Sequence, residues 1–189
     1  MNFDLTEEQE MMRESFARFF DDTCTPERLR KAEKDGLDQE AWSGLAELGA
    51  FLLRVPEDDD GLGLGTFDAA VLMEEVGRKL PFGPIAETVL AAHLLAMLGR
   101  GHVEEHLAAV VGGDKVASLA LHDIADQPKQ FVSWGAEAEI VVGRKGGQVL
   151  MFDVPEQVRP SEQSLSSDGL AEIDFSLANE TVLASGSVA

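Results

Sequence analysis

The sequence predicts an α+β protein, with an N-terminal all-α bundle of about six helices followed by a small antiparallel β domain. Apolar residues recur at helical spacing through the first 113 residues. After residue 114 the pattern changes to short apolar and β-branched runs separated by Gly, Pro, Asp and Ser. The hydrophobic share of 44% over 189 residues is that of a globular protein. We therefore expect a helical domain over residues 1–113 and a β domain over residues 114–189.

The first three helices are predicted from their start signals. Thr6 and Gln9 have the spacing of a capping box, in which each side chain bonds the other residue's backbone amide. Thr25 precedes Pro26 as the N-cap and first residue of a second helix, and Asp38 precedes a third. The first helix carries an apolar stripe made of Met12, Phe16, Phe19 and Phe20.

Glycine- and proline-rich segments separate the next three helices. Residues 56–65, PEDDDGLGLG, contain too many glycines and acids for regular structure, so we expect a loop there. Thr66 is the predicted cap of the fourth helix. The fifth helix, Ile85–Leu98, is apolar on almost all sides, which predicts a central position in the bundle. The predicted sixth helix covers residues 102–111.

Six short runs in the second half are predicted strands. Clusters of turn-forming residues separate them, and RKGG at residues 144–147 gives the clearest hairpin signal. The predicted strands are residues 116–121, 131–133, 140–142, 149–152, 171–175 and 181–183.

Charge and cysteine content restrict the functional classes. With 35 acidic and 15 basic side chains the formal net charge is −20, which disfavours binding to nucleic acid or to an anionic membrane. The one cysteine, Cys24, excludes an intrachain disulfide, and the acidic N-terminus lacks the positive charge of a signal peptide. The longest apolar stretch, residues 88–98, is shorter than the roughly 20 residues that span a bilayer. These features predict a cytoplasmic protein.

Two short motifs suggest binding sites but have simpler interpretations. His102 and His106 match H-x-x-E-H, which places two imidazoles one helical turn apart, as in zinc proteases. No spacing identifies a third ligand, so we favour a polar helix face and predict no metal site. A metalloprotease is therefore the weakest of the functional hypotheses. Gly61, Gly63 and Gly65 precede a helix as in phosphate-binding loops, but three aspartates lie beside them. A tight turn with positive φ is favoured there.

The order of these features resembles the acyl-CoA dehydrogenase family. The resemblance rests on DLTEEQ in the first helix, on DQEAWSGLAELGAFLLRVPEDDDGLGLGTFDAAVLMEEVGRKL at residues 38–80, and on LPFGPIAETVLAAHLL at residues 80–95. These segments look like the family's N-terminal helical domain and cover residues 1 to about 113. The β half looks like the family's middle domain, to which the flavin binds.

The resemblance implies FAD chemistry. In this family FAD takes a hydride from the β-carbon of an acyl-CoA thioester while a glutamate removes the α-proton, and electrons leave through an electron-transfer flavoprotein. The middle-domain signature is similar to residues 120–123, and the Lys-x-aromatic-Ile-Thr segment that reaches the flavin is similar to residues 129–133. The cofactor-binding residues that this implies are Leu121, His122, Phe131, Val132 and Ser133.

The sequence also departs from the family pattern. The glycine-rich GSD turn of the middle domain is missing, and only residues 124–128 separate the two flavin-binding segments. The C-terminal helical bundle, which carries the family's catalytic glutamate, has no counterpart. Glu74 and Glu75 match a helix of the N-terminal domain, so no catalytic residue is predicted.

Two functional hypotheses follow from these departures. The first is an acyl-CoA dehydrogenase homologue that is a portion of a longer enzyme or a short subunit, and that needs a catalytic partner or self-association to supply the base. The second is a non-catalytic scaffold or assembly subunit that has lost flavin binding.

Overall fold

The structure, a computed structural model, describes residues 4–158 and 169–186. Within these ranges it contains six α-helices followed by six β-strands, which confirms the predicted α+β class. The helices are α1 Glu7–Thr23, α2 Pro26–Asp35, α3 Gln39–Glu47, α4 Thr66–Lys79, α5 Ile85–Leu98 and α6 Glu104–Val111. The strands are β1 Ala117–Ala120, β2 Lys129–Val132, β3 Ile140–Lys145, β4 Gln148–Asp153, β5 Ala171–Asp174 and β6 Asn179–Ser185.

The predicted caps form at the first three helices. Thr6 Oγ1 accepts a hydrogen bond from the Gln9 amide at 3.2 Å, and Gln9 Oε1 accepts one from the Thr6 amide at 3.0 Å. Thr25 and Asp38 each accept from a backbone amide three residues further on, at 3.3 and 3.2 Å. These bonds satisfy amides that have no partner within the helix.

The fourth helix begins differently from the prediction. Thr66 is its first residue, and the N-cap is Gly65, whose amide donates to Asp68 Oδ2 at 2.7 Å. Asp68 Oδ1 also accepts from Gln9 Nε2 at 2.8 Å, so one carboxylate fixes the start of α4 and joins it to α1. The prediction was wrong because it considered only a capping hydroxyl and not an acid three residues after a glycine.

Aromatic side chains form the centre of the helical half. Phe16 and Phe20 of the predicted stripe are at most 2% exposed. Trp42 of α3 stacks on Phe51 with ring centroids 4.5 Å apart, and Leu72 of α4 closes the same cluster. Removing this apolar surface from water is the main stabilising contribution to the bundle.

The strands form two sheets. The larger sheet has the order β1-β3-β4-β6, and the smaller pairs β2 with β5. β3 and β4 form the predicted hairpin, which turns at Gly146 with φ of 60°. One pairing is not antiparallel, because β1 lies parallel to β3 with Ala117 opposite Ile140. Residues 121–139 provide the long crossover that a parallel pair requires, so the β region is mixed.

A single buried layer joins the helical and β halves. Ala91 and Leu95 of α5 pack with Ile140 and Val142 of β3 and with Met151 of β4, all at most 2% exposed. The division at residue 113 remains a prediction, but the two halves share this apolar layer.

The fifth helix has the central position that its sequence predicts. Seven residues of α5 are buried, whereas Leu90 and Met97 are 48% and 56% exposed. No helix in residues 4–158 or 169–186 combines the length and the apolar character needed to cross a membrane.

Candidate functional site

The ends of β1 and β2 meet at the side chain of Gln130. Gln130 is on the inward side of β2 and is 4% exposed. Its Oε1 accepts from the His122 amide at 3.1 Å, and its Nε2 donates to the carbonyl oxygens of His122 and Gln127 at 3.2 and 3.0 Å. Ser118 Oγ in β1 donates to the carbonyl oxygen of Ser133 at 2.7 Å. The structure thus brings together the two segments to which the sequence analysis assigned flavin contacts.

The five predicted site residues differ in exposure. Leu121 and Phe131 are 83% and 58% exposed and present apolar surface at the strand ends. His122 is exposed and Ser133 is half-buried. Val132 is 1% exposed and packs in the core between the two sheets, so its side chain does not face a ligand. A contact from Val132 is restricted to its backbone.

Residues 121–128 fold back onto the β3–β4 hairpin. Asp123 Oδ1 accepts from the amides of Gly146 and Ala125 at 2.8 and 3.0 Å, and Oδ2 lies 2.9 Å from Arg144 Nη2. The hydrogen bond from Gly146 is the main reason why the pKa of Asp123 lies below its usual range. This connection is therefore held by its own polar contacts and does not form an open loop.

Sequence reasoning missed two residues that shape the junction. Gln130 is one, and its place on the inward face of an alternating strand was the available signal. Trp134 is the other. Its ring lies edge-on to Phe82 of the α4–α5 connection at 4.7 Å between centroids, and its φ is 57°. No local pattern predicts a contact between residues so far apart in the chain.

Basic side chains of the β half are already paired with acids. In the described ranges the pairs are Lys115 with Asp153, Lys129 with Glu172, Arg144 with Asp123, and Lys145 with Glu180, at 3.8, 2.7, 2.9 and 2.6 Å. These four cations therefore do not form an unopposed positive patch for a phosphate-bearing ligand.

The H-x-x-E-H histidines are not arranged as zinc ligands. α6 begins at Glu104, so His102 precedes the helix and is exposed. His106 Nε2 lies 3.2 Å from Asp153 Oδ1 and links α6 to β4. Across the described ranges, no three His, Cys, Asp or Glu side chains are grouped so that they could hold a metal ion. The metalloprotease hypothesis has no structural support.

The glycine-rich loop is a tight turn, as favoured above. Gly63 has φ of 60°, and its amide donates to the carbonyl oxygen of Val55 at 2.8 Å. The amides of Gly61 and Gly65 donate to Pro56 O and to Asp68 Oδ2. Because these three amides are occupied, the loop does not present them to a phosphate.

The two adjacent glutamates of α4 both pair with Arg78. Glu74 is exposed, with Oε1 2.5 Å from Arg78 Nη2, and this contact lowers the pKa of Glu74. Glu75 is 3% exposed and lies 3.6 Å from Arg78 Nε. Both contacts are consistent with a role in holding α4, and neither glutamate is assigned as a base.

Part of the β1–β2 junction carries groups of the kind that a flavin ring would contact. Leu121 and Phe131 expose apolar side chains, and Ser133 is half-buried and carries a hydroxyl. The amide of His122 is not available as a donor to a flavin, because it donates to Gln130, and the carbonyl oxygen of His122 also accepts from Gln130. A flavin site in this chain would therefore depend on Leu121, Phe131 and Ser133.

Comparison with known proteins identifies relatives of this fold. The family profile "Acyl-CoA dehydrogenase, N-terminal domain" matches residues 6–113. The chain is 32% identical over 152 residues to acyl-CoA dehydrogenase IpdE2 of Mycolicibacterium smegmatis, which covers 79% of this chain and 46% of IpdE2. The chain thus spans about half the length of this curated relative.

Solved structures show the same fold. The Tcur3481-Tcur3483 steroid ACAD variant superposes with a TM-score of 0.80 at 22% identity, covering 94% of this chain and 57% of that one. The ChsE4-ChsE5 complex from Mycobacterium tuberculosis gives a TM-score of 0.74 at 21% identity, covering 95% and 58%. The helical and β halves are therefore arranged as they are in these two structures.

Proposed function

The chain belongs to the acyl-CoA dehydrogenase family, and from this membership we propose that it takes part in the FAD-dependent α,β-oxidation of an acyl-CoA thioester. The observation that carries the proposal is the β1–β2 junction. There Gln130 holds together the two segments that resemble the family's flavin-binding sequences, and Leu121 and Phe131 remain exposed beside them.

In this proposal Leu121, Phe131 and Ser133 hold one side of the flavin. When bound, FAD would supply the oxidant for hydride removal from the β-carbon. The apolar side chains of Leu121 and Phe131 would exclude water from the ring, and the Ser133 hydroxyl would donate a hydrogen bond to it. Gln130 acts indirectly, because it fixes the position of the His122 peptide next to Leu121.

We propose that the base that removes the α-proton comes from a protein segment outside these 189 residues. Glu74 and Glu75 are paired with Arg78 and do not match the family's catalytic position. Two similar structures are named as pairs of proteins, Tcur3481-Tcur3483 and ChsE4-ChsE5, which supports a partner chain as the source. We also propose that an electron-transfer flavoprotein accepts the electrons and that the protein is located in the cytoplasm.

One observation favours the alternative of a non-catalytic assembly subunit. The segment where the family has its flavin turn is short here and is bound to the β3–β4 hairpin through Asp123. Its His122 peptide is occupied by Gln130. A chain with these contacts would keep the fold without binding FAD.

Reconstitution with FAD distinguishes the two functions. The chain is purified by itself and, separately, after co-expression with candidate partner flavoenzyme subunits. Each preparation is mixed with FAD and then freed of excess flavin. A yellow protein with near one-to-one flavin, and acyl-CoA oxidation only in the presence of the partner, would support the proposed enzyme. A stable complex in which this chain holds no flavin would support the assembly subunit.

Replacing Ser133 by Ala tests the flavin contact directly. Loss of one hydrogen bond to the ring edge should weaken flavin retention by about 1 kcal/mol, or roughly fivefold in Kd. Flavin titration followed by absorbance measures this effect. Ser176→Ala is the matched control, because Ser176 follows β5 and its hydroxyl donates to Asp174 Oδ1 at 2.5 Å. An unchanged flavin spectrum and Kd in Ser133→Ala would remove Ser133 from the site.

A further inference from the structure

The helical half carries a second concave polar site, centred on Arg54 and His93. A surface depression is lined in part by Arg54, Glu57, Leu64 and His93, where the glycine-rich loop meets α5. Both Arg54 and His93 are half-buried. Neither residue was assigned a role by the sequence analysis or by the proposed function.

Arg54 and His93 hold each other in a fixed arrangement. His93 Nδ1 donates to the carbonyl oxygen of Arg54 at 2.7 Å, because a carbonyl oxygen can only accept. In the neutral ring Nε2 is then an acceptor, and it faces Arg54 Nη2 at 3.4 Å. Arg54 Nη1 donates to the carbonyl oxygen of Leu64 at 2.9 Å. The guanidinium group is thereby anchored by neutral acceptors from α5 and the loop.

The charge of this guanidinium has no acid partner in the described ranges. No carboxylate lies within 4.0 Å of Arg54, although acids outnumber bases in this protein by 35 to 15. Arg18 and Arg30 also lack such a pair, but both are exposed on helix surfaces where water is the partner. Arg54 is half-buried, and three of the five N–H groups of its guanidinium are not used by Leu64 or His93. A half-buried cation with donors to spare is suited to an anionic ligand.

The surroundings favour one class of anion. On α5, Leu90 lies three residues before His93 and Met97 four residues after it, so these exposed apolar side chains are its neighbours on the helix surface. Glu57 also lines the depression, and its charge repels a multiply charged phosphate more strongly than a singly charged group. The site therefore suits a carboxylate carried on an apolar body.

We propose that Arg54 and His93 form a binding site for a carboxylate that is carried on an apolar body. Arg54 donates to the carboxylate, His93 fixes the guanidinium, and Leu90 and Met97 contact the apolar part of the ligand.

Binding of simple amphiphiles to the full chain tests the site. Octanoate, octan-1-ol and inorganic phosphate are titrated separately and followed by NMR. We expect octanoate to bind about tenfold more tightly than octan-1-ol, as a charge-assisted hydrogen bond predicts. Arg54→Gln should reduce octanoate binding to the level of the alcohol. Equal affinity for acid and alcohol in the native chain, or tighter binding of phosphate at the same residues, would overturn the proposal.

Two further variants separate local from general effects. Arg18→Gln changes the net charge as Arg54→Gln does, but at an exposed position on α1, and should leave octanoate affinity unchanged. Glu57→Gln removes a repulsive charge and should strengthen octanoate binding severalfold. This variant leaves the Arg54 hydrogen bonds in place, so it tests the carboxylate site even when Arg54→Gln does not fold. No gain of affinity in Glu57→Gln would count against the site.

Discussion

Asp38 connects two helices through a single carboxylate. It caps α3 through the Ala41 amide, and it binds Arg28 of α2 at two points, Oδ2 to Nε at 2.7 Å and Oδ1 to Nη2 at 2.8 Å. The hydrogen bond from Arg28 is the main cause that lowers the pKa of Asp38. Because the folded pKa is lower than the unfolded one, ionised Asp38 stabilises the folded state.

Replacing Asp38 by Asn should remove the ion pair and keep the cap, since Asn is also a good N-cap residue. We expect a loss of about 1 kcal/mol in the free energy of unfolding at pH 7, because the pair is two-point but remains partly hydrated. The loss should diminish as pH falls below the ordinary aspartate pKa of about 3.9, where the unfolded chain takes up the proton first, and should vanish below the lower pKa of folded Asp38. Urea unfolding at a series of pH values measures both effects. A difference in the free energy of unfolding that does not change with pH would contradict this reasoning. Asp22→Asn, at an exposed position on α1, is the control for net charge.

Gln130 shows how a buried polar side chain can determine the geometry of a site. It is 4% exposed, and its amide group makes three hydrogen bonds to the backbone of residues 122 and 127. A buried amide without these partners would be strongly destabilising, so the turn after β1 is held at the end of β2. The exposure of Phe131 follows from strand alternation, since its neighbours Gln130 and Val132 face inward.

The loop between α3 and α4 is fixed by close backbone approach. An added Cβ on Gly61 would lie 2.1 Å from the carbonyl oxygen of Val55, and Val55 is fully buried. The amides of Gly61, Gly63 and Leu64 donate to carbonyl oxygens in residues 53–56. This compact turn places the carbonyl oxygen of Leu64 where Arg54 binds it.

Gly61→Ala should therefore destabilise the protein by about 3 kcal/mol, at the upper end of the range for overpacking, because the contact is with buried backbone that has little room to move. Gly77→Ala is the matched control. Gly77 is an exposed interior residue of α4 with open space around its Cα, so alanine there should stabilise by about 0.5–1 kcal/mol. Thermal unfolding of both variants measures the contrast. A Gly61→Ala protein as stable as the native chain would show that the loop can shift freely.

At the scale of the whole molecule, α5 joins the helical bundle to the sheet. Its Ala91 and Leu95 belong to the buried layer with β3 and β4, and Thr88 Oγ1 donates to the carbonyl oxygen of Ala117 in β1 at 2.8 Å. His106 of α6 and Asp153 of β4 add a second connection. We expect the two halves to unfold together, since neither buries this layer alone.

Leu95→Ala tests this coupling. Truncating a side chain that is 1% exposed should cost about 3 kcal/mol, and amide hydrogen exchange should become faster in α5 and in β3 and β4 alike. Met97→Ala on the same helix is the control, because Met97 is 56% exposed and its truncation should change stability by less than about 0.5 kcal/mol. Faster exchange confined to α5 would mean that the halves are independent.

Local chemistry determined much of this protein. The caps at Thr6, Thr25 and Asp38, the bounds of α5 and the hairpin at residues 144–147 were predicted from the sequence, because each depends on neighbouring residues only. The family resemblance likewise rests on residues that are continuous in the chain.

Tertiary structure decided what local pattern does not encode. The parallel pairing of β1 with β3, the Gln130 contacts and the Arg54–His93 pair each join residues separated along the chain. The second oxygen of Asp68 accepts from Gln9 of a different helix, which no local pattern encodes. The burial of Val132 and the exposure of Phe131 follow from which face of β2 meets the core. Such contacts arise when distant elements pack, because only packing determines which polar groups lose water and must find partners.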